Sequence, residues 1–402
     1  MNKQQYIHVP YGQTVHGEEE IAAVVSVLHT STQMGKHVRE MEEKISGLFN
    51  KKYGIMVNSG SSANYLALEL LNLPSGSEII TPALTFATTV APIIKNNLTP
   101  VFVDVTPETF NIDVNKIEEM ITSNTKAMMI PNLLGNLPDW KAIRVLADRY
   151  KLIVIEDSCD ALGSIIDELP AGRFTDISTT SFYGSHIINC AGNGGMLCVN
   201  DNKIAEKAKL LRSWGRSSSL FVESEAIENR FNIKVDDIDY DAKFIFETIG
   251  YNLEPSELGA AFGLVQLKKL NQNILAREQA FNLHTEFFTQ YQDRFILPKQ
   301  LPNSRTGWLA YPLIIKDNAS FTRKELQIFL ELRNIQTRTV FTGNILRQPG
   351  FKNINRREAQ AGYPGADQVM RNGMLIGCHH GLTKNMVQHI HQSFQEFLAT
   401  RH

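Results

Sequence analysis

The sequence predicts an α/β protein with a mostly parallel central sheet, helices on both faces of that sheet, and a smaller α+β domain at the C-terminal end. Two observations lead to this class. Short apolar runs alternate with amphipathic segments from about residue 53 to residue 200. The 402 residues, 43% of them hydrophobic and 20% charged, are enough for a packed protein of two domains, or of one large domain with an appendage.

Seven apolar runs are predicted to form the strands of the sheet, because short aliphatic runs are typical of strands covered on both faces. They are residues 53–58, 78–82, 100–105, 127–132, 152–157, 177–182 and 196–200. Between these runs, apolar residues recur at three and four positions in 62–71 and 140–150, which predicts crossover helices.

We place the domain boundary after residue 255. Residues 1–255 are predicted to form the large α/β domain, and residues 256–402 a connecting helix followed by the small α+β domain. The helix is expected to begin near Pro255 and to continue towards Tyr291. Before it, residues 212–251 are polar, irregular and too long for an ordinary connection, so we expect this segment to be functional or mobile.

The net charge and the cysteine content limit the partners and the cellular compartment that we expect. The formal net charge is −2 and the pI is near 6.6, which argues against nucleic acid or an anionic membrane as the main partner. The first six residues are polar, and no apolar run has the length of a membrane span. The four cysteines are scattered, which favours free thiols in a reducing cytoplasm over disulfides or zinc. We therefore expect a cytoplasmic protein with no metal, nucleic-acid or membrane partner.

Segments that follow the predicted strands are candidates for a ligand site, since ligands of open parallel sheets bind beyond the carboxyl ends of the strands. Asp157 ends one strand, where a carboxylate either holds a protonated pyridine nitrogen or fixes a loop or helix end. Residues 58–64 open a helix, where Gly60 and neighbouring serines either bind a phosphate or form an ordinary turn. Phe86 either stacks on a planar ring or belongs to the core.

His186 is the most informative single residue, and it follows the predicted strand 177–182. A neutral imidazole is a base near neutral pH, although a loop histidine is more often structural or solvated. No lysine lies between Lys151 and Lys203, so this part of the chain cannot form an imine with a carbonyl compound.

Three motifs occur in an order that resembles the sugar aminotransferase and dehydratase family of fold-type I pyridoxal-phosphate (PLP) enzymes. They are the acidic strand end 154–160, the run 181–186 and the glycine-rich turn 192–195. The similarity implies that the large domain binds PLP. The aminotransferases of this family have the PLP-binding lysine where this chain has His186, whereas its 3-dehydratases have histidine. Two types of 3-dehydratase in this family look similar to this chain. The colitose type acts on GDP-4-keto-6-deoxymannose, and the ascarylose type acts on CDP-4-keto-6-deoxyglucose.

The resemblance implies roles for eight residues. Asp157 would pair with the pyridine nitrogen, Phe86 would stack on the ring, and Asp160 would approach the phenolic oxygen of the cofactor as a second catalytic group. The phosphate would be held by the hydroxyls of Ser61, Ser62 and Ser181. Asn252 would reach the phosphate of the neighbouring subunit, which implies a homodimer with shared active sites. His186 would be the catalytic base in place of the lysine.

The implied reaction is the loss of the C3 hydroxyl, as water, from a nucleotide-diphosphate-linked 4-keto-6-deoxyhexose, with pyridoxamine phosphate (PMP) as the reactive cofactor. Residues 217–249 contain no cysteine, unlike the ascarylose-type enzymes, which hold an iron–sulfur centre there. This favours an amino donor such as glutamate for regenerating PMP. Residues 189–193 also depart from the family's Thr-x-Gly-Glu-Gly-Gly pattern.

Two alternative functions stay open: a nucleotide-sugar aminotransferase with a displaced lysine, and a non-catalytic ligand sensor with this fold.

Overall fold

A computed structural model of the chain describes residues 6–221 and 226–401. The strands in this part are β1 (Tyr53–Val57), β2 (Glu78–Pro82), β3 (Thr99–Val103), β4 (Thr125–Pro131), β5 (Ile153–Asp157), β6 (Ile165–Ile166), β7 (Leu169–Pro170), β8 (Ile177–Ser181), β9 (Gly195–Val199), β10 (Ile233–Val235), β11 (Ile238–Tyr240), β12 (Phe295–Ile296), β13 (Ser304–Arg305), β14 (Ala310–Ile315), β15 (Arg338–Thr339) and β16 (Gly373–Gly377). The α-helices are α1 (Glu18–Leu28), α2 (Lys36–Leu48), α3 (Gly60–Glu69), α4 (Ala87–Lys95), α5 (Trp140–Tyr150), α6 (Asn202–Arg212), α7 (Ile227–Arg230), α8 (Glu257–Lys268), α9 (Leu270–Thr289), α10 (Arg323–Leu332), α11 (Pro364–Asn372) and α12 (Lys384–Ala399).

Seven strands form the central sheet, in the order β1-β9-β8-β5-β4-β2-β3. The pairs β2–β3, β2–β4, β4–β5 and β5–β8 are parallel, whereas β9 runs antiparallel to both of its neighbours. The predicted mostly parallel sheet is therefore confirmed, and each of its strands overlaps one of the predicted apolar runs.

Successive residues of a strand pack against helices on opposite faces of this sheet. Met128 and Met129 are adjacent in β4 and both fully buried, yet they belong to different hydrophobic clusters. The cluster of Met129 includes Leu66 of α3, and that of Met128 includes Trp140 of α5. Because both faces are covered, the strands need aliphatic residues at nearly every position, which is the pattern that predicted them.

A four-stranded antiparallel sheet lies in the C-terminal part of the chain, with the strand order β12-β14-β16-β15. Val9, near the N-terminus, forms a bridge with Ile335, so the beginning of the chain lies against this part. The domain boundary after residue 255 stays a prediction. In the described residues, no helix is both long and apolar enough to cross a bilayer.

The predicted connecting helix is divided into α8 and α9 at Lys269. The Lys269 N–H donates to the carbonyl of Gln266, three residues earlier, so the α-helical hydrogen-bond pattern is interrupted there. In the segment 212–251, expected to be functional or mobile, the described residues form short helical turns and the hairpin β10–β11. Residues 222–225 of that segment lie outside the described residues.

Candidate active site

A cavity of about 490 Å³ lies at the carboxyl ends of the central strands. The last residues of β4, β5 and β8 all line it. Parallel strands bring their carboxyl ends to the same edge of a sheet, so residues far apart in the sequence meet there. Of the eight residues with a predicted role, six line this cavity: Ser61, Phe86, Asp157, Asp160, Ser181 and His186.

The first turn of α3 forms one side of the cavity. Ser59 is the N-cap of this helix and accepts a hydrogen bond from the N–H of Ser62 at 3.1 Å. The other N–H groups of a first helical turn have no acceptor within the helix, so they are available to an anion. A Cβ atom on Gly60 would lie 2.6 Å from the Cβ of Ser181, so only glycine lets the turn approach β8 this closely. The turn therefore suits a phosphate group.

Asp157 is a buried carboxylate with one oxygen largely free. Its Oδ2 accepts hydrogen bonds from Nδ2 of Asn64 and Oγ1 of Thr89, both at 2.8 Å. Its Oδ1 accepts one bond, from the backbone N–H of Cys159 at 3.3 Å. A carboxylate oxygen can accept more than one donor, so Oδ1 has capacity left for a group in the cavity. A protonated ring nitrogen is a suitable donor.

Asp160 provides a second, mostly buried carboxyl group, and its protonation changes near neutral pH. Its Oδ2 accepts a hydrogen bond from the N–H of Leu134 at 3.1 Å. Burial, and after it the negative charge of Asp157, raise the pKa of Asp160 to about 7. At neutral pH this carboxyl therefore occurs in both its neutral and its charged form, and the neutral form can donate a hydrogen bond.

His186 lies beside Asp160, with 3.8 Å between Nε2 of the histidine and Oδ1 of the aspartate. The Nδ1 of His186 lies 3.2 Å from the carbonyl oxygen of Ser181; a carbonyl only accepts, so Nδ1 carries the proton. Burial lowers the pKa of His186 to about 4, against the opposing effect of the hydrogen bond to Ser181. The ring is therefore neutral at physiological pH, its contact with Asp160 is not an ion pair, and Nε2 has the free lone pair.

Aromatic side chains line another part of the cavity. Phe86 is 52% exposed and lies edge-on to Phe341, with 5.7 Å between the ring centroids. Tyr183 contacts His186 in a similar way, at 5.9 Å. A half-exposed phenyl ring inside a cavity leaves a face on which a planar ligand can stack. The predicted stacking role of Phe86 is compatible with this position and stays a prediction.

Two residues with predicted roles do not line the cavity. The Ser62 hydroxyl donates to Oδ1 of Asn58 at 2.6 Å, within its own turn. Asn252 forms an isolated bridge with Ser213, and its Oδ1 accepts a hydrogen bond from the N–H of Glu254. Both phosphate-binding roles stay predictions, and that of Asn252 depends on a second subunit.

Sequence reasoning missed the cavity residues that come from distant parts of the chain. Tyr11, Leu309 and Phe341 line the cavity, although none of them follows a strand of the central sheet. Burial raises the pKa of the Tyr11 hydroxyl above its ordinary value. These side chains reach the cavity because the N-terminal segment and the C-terminal part pack against the large sheet, which no local pattern signals.

Among the residues that the structure describes, no lysine lines the cavity. Lys51 is a buried lysine, but its Nζ donates to the backbone carbonyls of Gly172 and Thr175. The ammonium group of Lys51 is therefore held away from the cavity. The alternative of a displaced lysine gains no support from this part of the chain.

Comparison with known proteins finds relatives along nearly the whole chain. Residues 14–395 match the DegT/DnrJ/EryC1/StrS aminotransferase family. The chain is 34% identical, over 404 residues, to dTDP-4-dehydro-2,6-dideoxy-D-glucose 3-dehydratase of Saccharopolyspora spinosa, covering 97% of this chain and 86% of that protein. It is 30% identical, over 382 residues, to GDP-4-keto-6-deoxy-D-mannose 3-dehydratase of Escherichia coli O55:H7, covering 93% and 96%. The solved structure of E. coli GDP-4-keto-6-deoxy-D-mannose-3-dehydratase with bound hydrated PLP matches with a TM-score of 0.87 at 28% identity, over 97% of this chain and 100% of that one.

These similarities extend over nearly the whole chain and include both sequence and fold. They confirm the fold class and the family resemblance that the motifs 154–160, 181–186 and 192–195 predicted. The chain therefore belongs to the DegT/DnrJ/EryC1/StrS aminotransferase family.

Proposed function

We propose that this protein is a PLP-dependent 3-dehydratase that removes the C3 hydroxyl of a nucleotide-linked 4-keto-6-deoxyhexose, with His186 as the base. One observation carries the proposal. His186 is neutral, its Nδ1 donates a hydrogen bond to the carbonyl of Ser181, and its Nε2 has a free lone pair at the cavity. By the family resemblance, an aminotransferase would have its lysine at this position. Such a nitrogen accepts protons but forms no stable covalent bond with the cofactor.

The names of the relatives support the substrate class. Both relatives reported above are named as 3-dehydratases of nucleotide-linked sugars with a keto group at C4, one with dTDP and one with GDP. Family membership and the PLP bound in the solved relative confirm the expected cofactor class, PLP or PMP. Because the two nucleotides differ, the proposal concerns the class of nucleotide-linked 4-keto sugars and not one nucleotide.

The cavity fits PLP in three respects. Oδ1 of Asp157 can accept a hydrogen bond from the protonated ring nitrogen. Phe86 offers an exposed aromatic face to the ring. The first turn of α3, with the hydroxyls of Ser61 and Ser181, offers donors to the phosphate. When bound, the cofactor supplies an electron sink conjugated to the carbon atoms of the substrate.

The protein's own part in the reaction is to hold and move protons. The hydrogen bond from Nδ1 to the carbonyl of Ser181 sets the tautomer of His186, so Nε2 is the atom that accepts a proton. The same nitrogen can then deliver a proton to the C3 hydroxyl, which leaves as water. Asp160, with a pKa raised to about 7 by burial, can donate a hydrogen bond to the phenolic oxygen of the cofactor in its neutral form. Leu133 and Leu309 add apolar surface to the same cavity.

We also propose a homodimer with shared active sites. Large apolar side chains are exposed throughout the described residues 227–251: Ile227, Phe231, Val235, Ile238, Tyr240, Phe244, Phe246, Ile249 and Tyr251. An apolar surface of this extent is typical of a protein interface. It is continuous in sequence with Asn252, which does not line the cavity of its own chain. A second copy of this chain would cover the apolar surface and receive Asn252 in its phosphate site.

A product assay tests the proposed function. The protein is incubated with PLP, glutamate and a panel of nucleotide-linked 4-keto-6-deoxyhexoses, and the sugars are analysed by mass spectrometry and NMR. We expect a 3-deoxy product that lacks one oxygen atom, formed in proportion to 2-oxoglutarate and ammonia, and no turnover of PLP-loaded protein without glutamate. A 4-amino sugar that keeps its C3 hydroxyl would contradict the proposal and support the aminotransferase alternative. No cofactor binding at all would support the ligand-sensor alternative.

The dimer is tested with Ile249→Asp, because Ile249 is 91% exposed and a charge there should not disturb the fold of one subunit. We expect the wild-type protein to sediment at about twice the mass of the 45.2 kDa chain, and the variant to be monomeric with much lower dehydratase activity. Leu332→Asp is the matched control, since Leu332 is 75% exposed at the end of α10, and it should leave mass and activity unchanged. A wild-type monomer with full activity would refute the shared site.

A further inference from the structure

Arg277 in α9 is a fully buried cation without an acidic partner in the described part of the chain. Its guanidinium donates instead to three backbone carbonyls and one imidazole. Burial lowers the pKa of Arg277 to about 10, so the group keeps its charge at neutral pH. Burying a charge is costly unless hydrogen bonds compensate it. Here four donated hydrogen bonds do so, and the negative charge of Asp160 acts on the guanidinium as well.

The partners of Arg277 lie on chain segments that surround the cavity. Nη2 donates to the carbonyl of Ser185 at 3.1 Å, and Ser185 immediately precedes His186. Nη1 donates to the carbonyls of Trp308 and Leu309 at 3.0 and 3.1 Å. Nε donates to Nδ1 of His380 at 3.3 Å. One planar group therefore ties the turn that bears His186 to two segments of the C-terminal part.

A second set of bonds connects Arg277 to Asp160. The N–H of Leu309 donates to the carbonyl of Leu134 at 2.8 Å, and the N–H of Leu134 donates to Oδ2 of Asp160 at 3.1 Å. The carbonyl of Leu309 is one of the acceptors of Arg277. The 3.8 Å separation between His186 and Asp160 thus depends on segments that meet at one guanidinium.

The charge of Arg277 also acts on His186. Around the imidazole lie the carbonyl of Ser181, the carboxyls of Asp157 and Asp160, and the ring of Tyr183. The hydrogen bond to Ser181 and the charge of Asp157 favour the protonated ring, whereas burial and the positive charge of Arg277 favour the neutral ring. Arg277 therefore opposes the effect of the Asp157 charge on His186, and it acts in the same direction as burial, which is the larger effect.

We propose that Arg277 is a positioning residue that fixes the turn bearing His186 relative to Asp160 and to the cavity. Arg277 does not line the cavity, so it would act through His186 and is not a catalytic residue. The inference rests on the proposed function only for its effect on turnover. Its effect on the titration of His186 is independent of any substrate.

The test is Arg277→Met in the full-length protein, with hydrogen–deuterium exchange at the imidazole Cε1, followed by peptide mass spectrometry, as the readout. The pH dependence of this exchange gives the titration midpoint of His186 without cofactor or substrate. We expect the midpoint to rise by about 1 pH unit, because a neighbouring positive charge is removed. In the loaded enzyme we expect kcat to fall about 10–100-fold with KM nearly unchanged, and the acid limb of the pH profile to shift upwards with the exchange midpoint.

Two further variants separate positioning from stability. Arg277→Lys keeps the positive charge but cannot donate hydrogen bonds to all of the segments that the guanidinium joins. The titration midpoint of His186 should therefore stay near that of the wild type, while kcat falls. It also provides the test if Arg277→Met does not fold. Arg323→Met is the matched control, because Arg323 donates to the carbonyls of Met370 and Gly373 outside the cavity. It should lower stability without moving the midpoint of His186.

Two outcomes would overturn the inference. One is an unchanged His186 midpoint together with an unchanged kcat in folded Arg277→Met. The other is an equal shift in Arg323→Met, which would show a general loss of structure. Failure of the wild-type protein to dehydrate any sugar would refute the proposed function, and the exchange midpoints would still decide the role of Arg277 in the titration of His186.

Discussion

Replacing His186 by asparagine should reduce kcat for dehydration about 10³-fold, because a general base contributes roughly 10²–10⁴-fold. Asparagine can still donate to the carbonyl of Ser181, but it has no nitrogen lone pair that accepts a proton. Cofactor affinity should change little, since His186 is not among the groups proposed to hold the ring or the phosphate. Single-turnover kinetics with a 4-keto sugar, and titration of absorbance with PLP, measure the two effects separately.

His389→Asn is the matched control, because His389 also bonds a backbone carbonyl, that of Arg333 at 2.9 Å, but does not line the cavity. Its kcat should equal that of the wild type. His186→Lys adds a second test: we expect covalent attachment of the cofactor to the new lysine, detected after borohydride reduction, together with loss of dehydration. Dehydration retained in either His186 variant would show that another group is the base.

Asp157→Asn should weaken cofactor binding by about 10–100-fold, since a hydrogen bond to a charged group contributes roughly 1.5–3 kcal/mol. The asparagine keeps the size of the side chain, but it removes the negative charge that we propose to face the ring nitrogen. It should also lower the pKa of Asp160, because the charge of Asp157 is one cause of its rise to about 7. Equilibrium titration with PLP measures the affinity, and turnover should fall further at saturating cofactor because the ring is a weaker electron sink.

Asp104→Asn serves as the control for the loss of a buried carboxylate. Asp104 is also almost fully buried, and it accepts backbone N–H groups from Gly365 and Ala366 at 3.0 and 2.9 Å, away from the cavity. This variant should lose stability in urea but bind PLP with wild-type affinity. If Asp157→Asn bound PLP as tightly as the wild type, the assignment of Asp157 to the ring nitrogen would be wrong.

Most of the large sheet could be predicted from sequence because its strands are buried on both faces. A residue such as Met128 or Met129 must be apolar whichever face it meets, so each strand appears as an uninterrupted apolar run. The break between α8 and α9 at Lys269 could not be predicted in this way. It depends on one backbone hydrogen bond, and the residues on both sides of it are compatible with a helix.

The candidate site could be predicted where it is local to strand ends. Asp157 and Ser181 are the last residues of β5 and β8, so locating the strands also located these side chains. Tyr11 and Leu309 could not be found, because they approach the cavity from segments remote in the sequence. The predicted role of Ser62 gained no support either, since its hydroxyl is bound to Asn58 within the turn, a detail of side-chain geometry.

The sequence by itself determined the class of fold and the resemblance to the family. It also showed that no lysine lies between Lys151 and Lys203, the part of the chain that contains His186. Only the tertiary structure decided the tautomer and the charge of His186, the proposed base. Its tautomer depends on the carbonyl of Ser181, and burial keeps it neutral. The positive charge of Arg277, whose partner Ser185 is 92 residues away in the chain, adds to the effect of burial. The physical reason is that a pKa reports the desolvation of a group and the charges around it, and both are set by packing between distant segments.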